Sequence, residues 1–154
     1  MDQKISIGDP VPDFEARNQD GKTVRLSDFR GKPVLIYFYP KDDTPGCTRE
    51  ACEFRDEYSK FQRLGAVILG ISRQDEMSHQ AFRTKYHLPF DLLVDEKGEV
   101  ARALGIASVP LIGVHKRQSL LISPNGRLVC VYDKVDPEKH ATQVLDDIKN
   151  AAER

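Results

Sequence analysis

Two unbroken apolar runs predict the centre of a β-sheet. Residues 34–39 and residues 66–71 contain no charged or amide side chain, and such runs are typical of strands that are buried on both faces. Between them, apolar residues recur at helical spacing until the pattern stops at Gly65. The stripe consists of Ala51, Phe54, Tyr58, Phe61 and Leu64. A strand, a helix and a second strand with short connections form a βαβ unit, so the two strands are predicted to be parallel.

Shorter segments predict the remaining strands. Residues 14–17 and 23–26 flank an Asp-Gly step, which is a strong signal for a hairpin turn. Residues 119–122 and 128–132 flank a Pro-Asn-Gly turn and are predicted to form a second antiparallel hairpin. One more short strand is predicted over residues 92–94.

Apolar residues on one face predict two more long helices, one over residues 75–86 and one that begins at Asp136. Residues 27–29 and 100–104 are predicted to form short helical turns, and residues 107–116 a loop without a clear period. The order of these elements predicts an α/β protein with a thioredoxin-like fold, in which a central mixed sheet carries an N-terminal β-hairpin extension and flanking helices. No linker divides the chain, so residues 1–154 are predicted to form a single domain.

The composition narrows the range of partners. Among 154 residues, 23 Lys and Arg nearly balance 24 Asp and Glu, which argues against nucleic acid or an anionic membrane as the main partner. The sequence shows no apolar run long enough to span a membrane and no signal-peptide pattern, so a cytoplasmic protein is expected. Three cysteines are too few for a secreted disulfide scaffold. They indicate reactive cysteines, a metal site or core packing.

Cys47 stands at a predicted helix start. Thr44 is a suitable N-cap residue, and Pro45 suits the first helical position because its missing N–H has no partner there in any case. In the first turn, unpaired N–H groups and the helix dipole favour a thiolate over a thiol. The thiolate is the nucleophilic form of cysteine, although position alone is also compatible with a small buried apolar residue.

The surrounding residues carry a family resemblance. Residues 37–48, followed by Glu50, Cys52 and the Phe-Arg-Asp of residues 54–56, resemble the active-site segment of the peroxiredoxins, and more narrowly that of the Q-type or bacterioferritin comigratory protein subgroup. The similarity extends through residues 8–14, 70–72 and 88–95. It implies a thiol peroxidase that reduces hydrogen peroxide and small organic hydroperoxides without a metal, haem or flavin. Monomers are common in the subgroup, so a monomer is expected.

The resemblance assigns roles by position. Cys47 matches the peroxidatic cysteine, Cys52 the resolving cysteine, and Thr44 and Pro40 the fixed neighbours of the reactive sulfur. It implies that peroxide converts Cys47 to a sulfenic acid, that Cys52 condenses with it to form a disulfide, and that thioredoxin or a similar dithiol reduces this disulfide.

The family also uses an arginine from a later strand, which Arg117 matches. An alignment shifted by one residue would place Lys116 there instead. The groups expected to bind peroxide are the backbone N–H groups around Gly46 and Cys47, the Thr44 hydroxyl and the Arg117 guanidinium, whose permanent charge stabilises the thiolate and the transition state.

The spacing of the two cysteines predicts a conformational step. Five residues of helix separate two Cα atoms by about 8 to 9 Å, whereas a disulfide requires less than about 7 Å. We therefore expect residues 44–54 to unwind locally after oxidation so that Cys52 can reach Cys47.

Several interpretations stay open at this point. Glu50 is equally compatible with positioning Arg117 and with simply favouring the first turns of the helix. Cys130 alternates with apolar neighbours in a predicted strand and is interpreted as core. Two other functions remain alternatives: a redox-sensing binding protein without turnover, and a disulfide oxidoreductase, which the absence of a Cys-x-x-Cys motif disfavours.

Overall fold

The computed structural model describes residues 5–106, 108–109 and 113–152. Its helices are α1 (Pro45–Asp56), α2 (Tyr58–Arg63), α3 (Glu76–Lys85), α4 (Glu99–Ala103) and α5 (His140–Ala152). Its strands are β1 (Glu15–Arg17), β2 (Thr23–Arg25), β3 (Val34–Phe38), β4 (Val67–Ser72), β5 (Asp91–Val94), β6 (Ser108–Val109), β7 (Val114–His115), β8 (Gln118–Ile122) and β9 (Leu128–Tyr132). A short 3₁₀ turn covers Leu26–Phe29.

The central sheet has the strand order β5-β4-β3-β8-β9. β3 is parallel to β4 and β4 is parallel to β5, whereas β8 is antiparallel to both β3 and β9. β1 and β2 form a separate antiparallel hairpin at the N-terminus. The structure thus confirms the predicted βαβ unit, both hairpins and the thioredoxin-like mixed sheet.

Two apolar layers cover the sheet, one on each face. Along β3 and just beyond it, Leu35, Tyr37 and Tyr39 belong to one core cluster, and Val34, Ile36 and Phe38 belong to the other. Successive side chains of a strand point to opposite faces, so a strand covered on both sides needs apolar residues at every position. This arrangement explains the unbroken apolar run.

Two element boundaries differ from the predictions. The helix predicted to continue to Gly65 is interrupted at Glu57, which separates α1 from α2 without a Gly or Pro to mark the break. The last helix begins at His140 rather than Asp136, because the Asp136 carboxylate accepts the Glu138 N–H at 3.0 Å and holds a turn before the helix. Both differences reflect local backbone geometry that apolar spacing does not report.

The segment predicted as a loop over residues 107–116 contains a small antiparallel ladder. Ser108 pairs with His115 and Val109 pairs with Val114. Two-residue strands are too short to show a period of two, which is why the pattern missed them. Residues 107 and 110–112 of this segment lie outside the described residues.

The strand register places the N-terminus of α1 next to the start of β8. α1 begins shortly after the C-terminal end of β3, and β8 runs antiparallel to β3, with Phe38 paired with Gln118. Arg117 immediately precedes that pair, so it lies at the same edge of the sheet as Cys47. In open α/β sheets this edge, at the carboxyl ends of the parallel strands, is where sites are formed.

Gly70 in β4 is predicted to be intolerant of any side chain. A Cβ atom at this position would lie 2.9 Å from Leu92 Cδ2 and 2.9 Å from the Tyr37 ring. We expect Gly70→Ala to reduce the free energy of unfolding by about 1 to 3 kcal/mol through overpacking. Urea denaturation measures the change, with Gln62→Ala on the exposed face of α2 as the control. A Gly70→Ala protein as stable as wild type would contradict close packing of Leu92 and Tyr37 against Gly70.

Candidate active site

Cys47 lies in the first turn of α1 and is almost completely buried, with 1% of its surface exposed. Thr44 has the extended backbone of an N-cap residue, Pro45 follows at the first helical position, and the Thr48 N–H donates to the Thr44 carbonyl at 2.8 Å. The predicted helix start is therefore confirmed. The sulfur lies at the positive end of the helix, where the first N–H groups have no intrahelical acceptor.

Thr44 does not cap the helix with its side chain. Its hydroxyl donates instead to the Lys41 carbonyl at 2.9 Å, within the loop that leads into α1. The hydroxyl hydrogen is thereby directed into the loop, and the oxygen lone pairs remain able to accept a hydrogen bond.

Arg117 joins Cys47 to Glu50. Its Nη2 donates to Cys47 Sγ at 3.3 Å and its Nη1 donates to Glu50 Oε1 at 2.7 Å. Cys47 and Glu50 are three residues apart on α1, so they share one helix face and the flat guanidinium spans both. Lys116 is solvent-exposed, and the cation at the sulfur is Arg117. The structure also decides the open question about Glu50, which holds the guanidinium in place.

Glu50 is an unusual carboxyl group because its side chain is fully buried. Burial raises the pKa of Glu50 to about 7, although Arg117 acts in the opposite direction. Among the described residues, no hydrogen-bond partner reaches its second oxygen, Oε2. The same burial would lower the pKa of Arg117, but the neighbouring Glu50 and Cys47 outweigh it and raise that pKa. The guanidinium therefore stays protonated while Glu50 exchanges a proton near neutral pH.

Gly46 permits the close approach of the guanidinium. A Cβ atom at residue 46 would lie 3.0 Å from Arg117 Nη2, a separation tighter than ordinary van der Waals contact. Pro40 lies two residues beyond the end of β3 and is partly buried, and its carbonyl accepts a hydrogen bond from Gln74 Nε2 at 3.5 Å. Pro40 thus belongs to the loop that supports the site, whereas Gly46 lies against the reactive groups.

Cys52 occupies a different environment on the same helix. It is partly exposed and lines a surface cavity of about 360 Å³. Partial burial raises the pKa of the Cys52 thiol, with Arg55 opposing this effect. Both cysteines are free thiols, and α1 is continuous through them. The structure therefore places Cys47 beside the cation and leaves Cys52 as a thiol one and a half turns away.

A buried polar network beneath the site was not predicted. The Asp42 carboxylate accepts hydrogen bonds from the Tyr39 hydroxyl at 2.6 Å and from the Ser78 hydroxyl at 2.8 Å, and it contacts His79 Nδ1 at 2.6 Å. His79 Nε2 donates to the Leu93 carbonyl at 2.8 Å, since a carbonyl only accepts. The network fastens the loop before α1 to α3 and β5. Asp42 stands inside the active-site motif, but its partner is 37 residues away, and sequence spacing alone does not reveal that pairing.

Three further observations concern the rest of the described chain. Cys130 lies in the edge strand β9 and is half-buried against the core, away from Cys47. No group of His, Cys, Asp or Glu within residues 5–106, 108–109 and 113–152 has the arrangement of a metal site. None of the helices in that part of the chain is long and apolar enough to span a membrane.

Comparisons with known proteins point to one family. The family model described as "AhpC/TSA family" matches residues 7–131. "Peroxiredoxin Bcp" of Bacillus subtilis is 40% identical over 156 residues, covering 97% of this chain and 99% of that protein. "Peroxiredoxin Q, chloroplastic" of Gentiana triflora is 44% identical over 149 residues, covering 96% of this chain and 69% of that protein.

Solved structures agree with this likeness. Peroxidoxin BcpB from Mycobacterium tuberculosis superimposes with a TM-score of 0.88 at 32% identity, covering 95% of this chain and 97% of that chain. PrxQ of Xylella fastidiosa superimposes with a TM-score of 0.90 at 29% identity, covering 97% of this chain and 99% of that chain.

Gly46→Ala is predicted to displace Arg117 from the sulfur. The added methyl group requires the guanidinium to move by a few tenths of an ångström, which weakens its contact with Cys47 Sγ. We expect the rate constant for oxidation of Cys47 by hydrogen peroxide to fall roughly tenfold, as measured by stopped-flow kinetics. Arg49→Ala, on the exposed face of the same turn, is the matched control. Equal rates in Gly46→Ala and wild type would show that the guanidinium contact does not assist oxidation.

Glu50→Gln is predicted to change how stability depends on pH. Because burial raises the pKa of Glu50 from 4.5 to about 7, the folded protein retains a proton between these values that the unfolded chain has lost. The retained proton contributes fully to the free energy of unfolding below pH 4.5, and this contribution is lost as pH rises through about 7. Over this range the contribution to the free energy of unfolding falls by no more than about 1.4 kcal/mol per pH unit. Glu50→Gln keeps an oxygen acceptor for Arg117 but has no such contribution. Urea denaturation of the reduced proteins across this window measures it, and parallel pH profiles would contradict the assignment.

Proposed function

The chain belongs to the AhpC/TSA family, and we propose that Cys47 is the residue through which it reduces peroxides and Cys52 the residue that completes the cycle. The protein is a peroxiredoxin, a peroxidase that uses thiols as the reductant. The observation that carries the assignment to Cys47 is the 3.3 Å contact from the Arg117 guanidinium to its sulfur. Cys52 is instead partly exposed, and burial raises the pKa of its thiol.

The first step is a displacement at oxygen. The Cys47 thiolate attacks one oxygen of the peroxide, so that an S–O bond forms as the O–O bond breaks. The leaving oxygen departs as water or an alcohol after taking up a proton, and Cys47 becomes a sulfenic acid. Arg117 and the N–H groups of Gly46 and Cys47 lie where they can stabilise the charge that moves from sulfur to oxygen.

Thr44 and Pro40 have supporting roles in this proposal. The Thr44 hydroxyl donates to the Lys41 carbonyl, so its free lone pairs are able to accept the O–H of a hydroperoxide. Pro40 lacks an N–H and limits the access of water to the loop around the sulfur. Both roles concern orientation and solvent exclusion, whereas Arg117 and the helix N-terminus supply the charge stabilisation.

The second step is condensation of the two cysteines. The Cys52 thiol attacks the sulfenic sulfur, the S–S bond forms, the S–O bond breaks, and water leaves. Because α1 is intact between the two residues, residues 44–54 unwind before the sulfurs meet. Burial raises the pKa of the Cys52 thiol, which disfavours attack of Cys52 itself on peroxide.

The third step returns the enzyme to its dithiol form. We propose that thioredoxin or a similar dithiol protein reduces the Cys47–Cys52 disulfide by thiol–disulfide exchange. We also propose a cytoplasmic location, where thiols such as those of Cys47 and Cys52 are kept reduced. The single-domain and monomeric organisation stays a prediction, which limited proteolysis and analytical ultracentrifugation test directly.

Serine variants of the three cysteines test this cycle. With hydrogen peroxide, thioredoxin, thioredoxin reductase and NADPH, we expect no NADPH consumption by Cys47→Ser. Cys52→Ser forms one sulfenic acid but does not cycle with thioredoxin, and Cys130→Ser, the matched control, retains near-normal turnover.

The same assay distinguishes the alternatives. Robust turnover by Cys47→Ser would exclude the proposed mechanism. A single stoichiometric oxidation of wild type, without recycling, would indicate a redox sensor. Thiol–disulfide exchange activity without peroxide consumption would indicate a disulfide oxidoreductase.

A further inference from the structure

The C-terminal end of α3 contacts α1 at both ends of the segment that carries the two cysteines. Tyr86, the C-cap residue of α3, donates its hydroxyl to Asp43 Oδ1 at 2.7 Å, and Asp43 directly precedes the N-cap of α1. The Tyr86 carbonyl accepts a hydrogen bond from Arg55 Nη1 at 2.8 Å, and Arg55 lies in the last turn of α1. One residue therefore binds both flanks of the segment that is proposed to unwind.

Asp43 has a backbone conformation that needs support. Its φ of 58° lies in the left-handed region, which non-glycine residues adopt uncommonly and Asp tolerates better than most. Lys85 Nζ contacts its second oxygen at 2.8 Å. Hydrogen bonds from Lys85 and Tyr86 hold the pKa of Asp43 below its usual value, so both of its oxygens act as charged acceptors.

The two partners of Asp43 differ in how firmly they are held. The Lys85 ion pair is exposed on both sides, and such pairs are screened by salt and stabilise little. The Tyr86 ring instead packs edge-on against the buried Phe82, with ring centroids 5.5 Å apart. Because its ring is already ordered, the Tyr86 hydroxyl loses less side-chain entropy when it binds Asp43. Tyr86 is therefore the more effective restraint.

The cavity beside Cys52 indicates the direction in which the first turn of α1 must move, and the Tyr86 contact with Asp43 opposes that movement. Cys52 opens into the surface cavity of about 360 Å³, which Pro45, Thr48 and Tyr86 also line. Cys47 faces the opposite, buried side of α1. For the two sulfurs to meet on the cavity side, the first turn of α1 must leave Arg117 and rotate outward, and the chain enters that turn through Asp43.

We propose that the Tyr86 hydroxyl is a positioning group that holds the first turn of α1 in its helical form and so slows formation of the Cys47–Cys52 disulfide. The inference rests on the proposed function for the roles of the two cysteines. Loss of the hydroxyl favours the unwound segment and speeds condensation, but it does not speed the peroxide step, which uses the intact helix. Faster condensation also leaves the sulfenic acid less time to react with a second peroxide and form a sulfinic acid.

Tyr86→Phe tests the restraint because it removes the hydroxyl and keeps the ring against Phe82. The matched control is Tyr132→Phe, which removes a similar hydrogen bond of 2.6 Å from Tyr132 to Asp147, between β9 and α5. One readout is amide hydrogen exchange across residues 45–54 in the reduced protein. The other is the rate of disulfide formation after one equivalent of hydrogen peroxide, followed by alkylation and mass spectrometry.

For Tyr86→Phe we expect faster exchange across residues 45–54 and disulfide formation that is roughly two- to tenfold faster, with no gain in the rate of Cys47 oxidation. Tyr132→Phe should match wild type in both readouts. Wild-type behaviour of Tyr86→Phe, or an equal acceleration in Tyr132→Phe, would overturn the proposal. If wild type formed no Cys47–Cys52 disulfide, the resolving step under the proposed function would fail instead. The exchange comparison would still decide the role of Tyr86, since it requires only reduced protein.

Discussion

The guanidinium of Arg117 lies between two acidic side chains on one face of α1, the buried thiol of Cys47 and the buried carboxyl of Glu50. Charges removed from water are costly unless each has a partner. Here one cation serves both groups, with its Nη2 at Cys47 Sγ and its Nη1 at Glu50 Oε1. The arrangement also depends on Gly46, because any side chain there would occupy space next to the guanidinium.

This shared cation places opposing demands on α1. The helix must be intact for its first N–H groups and Arg117 to surround Cys47, yet five residues of intact helix separate the Cα atoms of the two cysteines by too great a distance for a disulfide. The contacts of α1 are consistent with a segment whose two ends are held in place while the residues between them change conformation. Asp43 and Arg55 on its flanks both contact Tyr86, while Cys52 between them opens to a surface cavity.

A buried polar network holds the loop before α1. Asp42 receives hydrogen bonds from Tyr39 and Ser78 and contacts the buried His79, whose second ring nitrogen reaches the Leu93 carbonyl. The Asp42 carboxylate is thus connected to the residue that follows β3, to α3 and, through His79, to β5. A buried polar network of this kind specifies a single arrangement when its members are satisfied, so we expect the loop to stay in place while the proposed unwinding takes place in α1.

The sequence alone determined the order of elements, the βαβ unit, both hairpins and the helix start at Cys47, because apolar periodicity, turn residues and capping residues act over short stretches of chain. It also determined the family, since residues 37–56 carry the motif in one continuous segment. The tertiary structure alone decided that Arg117 contacts the sulfur, that Glu50 holds Arg117, and that Asp42 and Tyr86 connect the site to α3. Those contacts join residues 31 to 70 positions apart. They depend on strand register and on the burial of charge, and neither can be read from the order of residues along the chain.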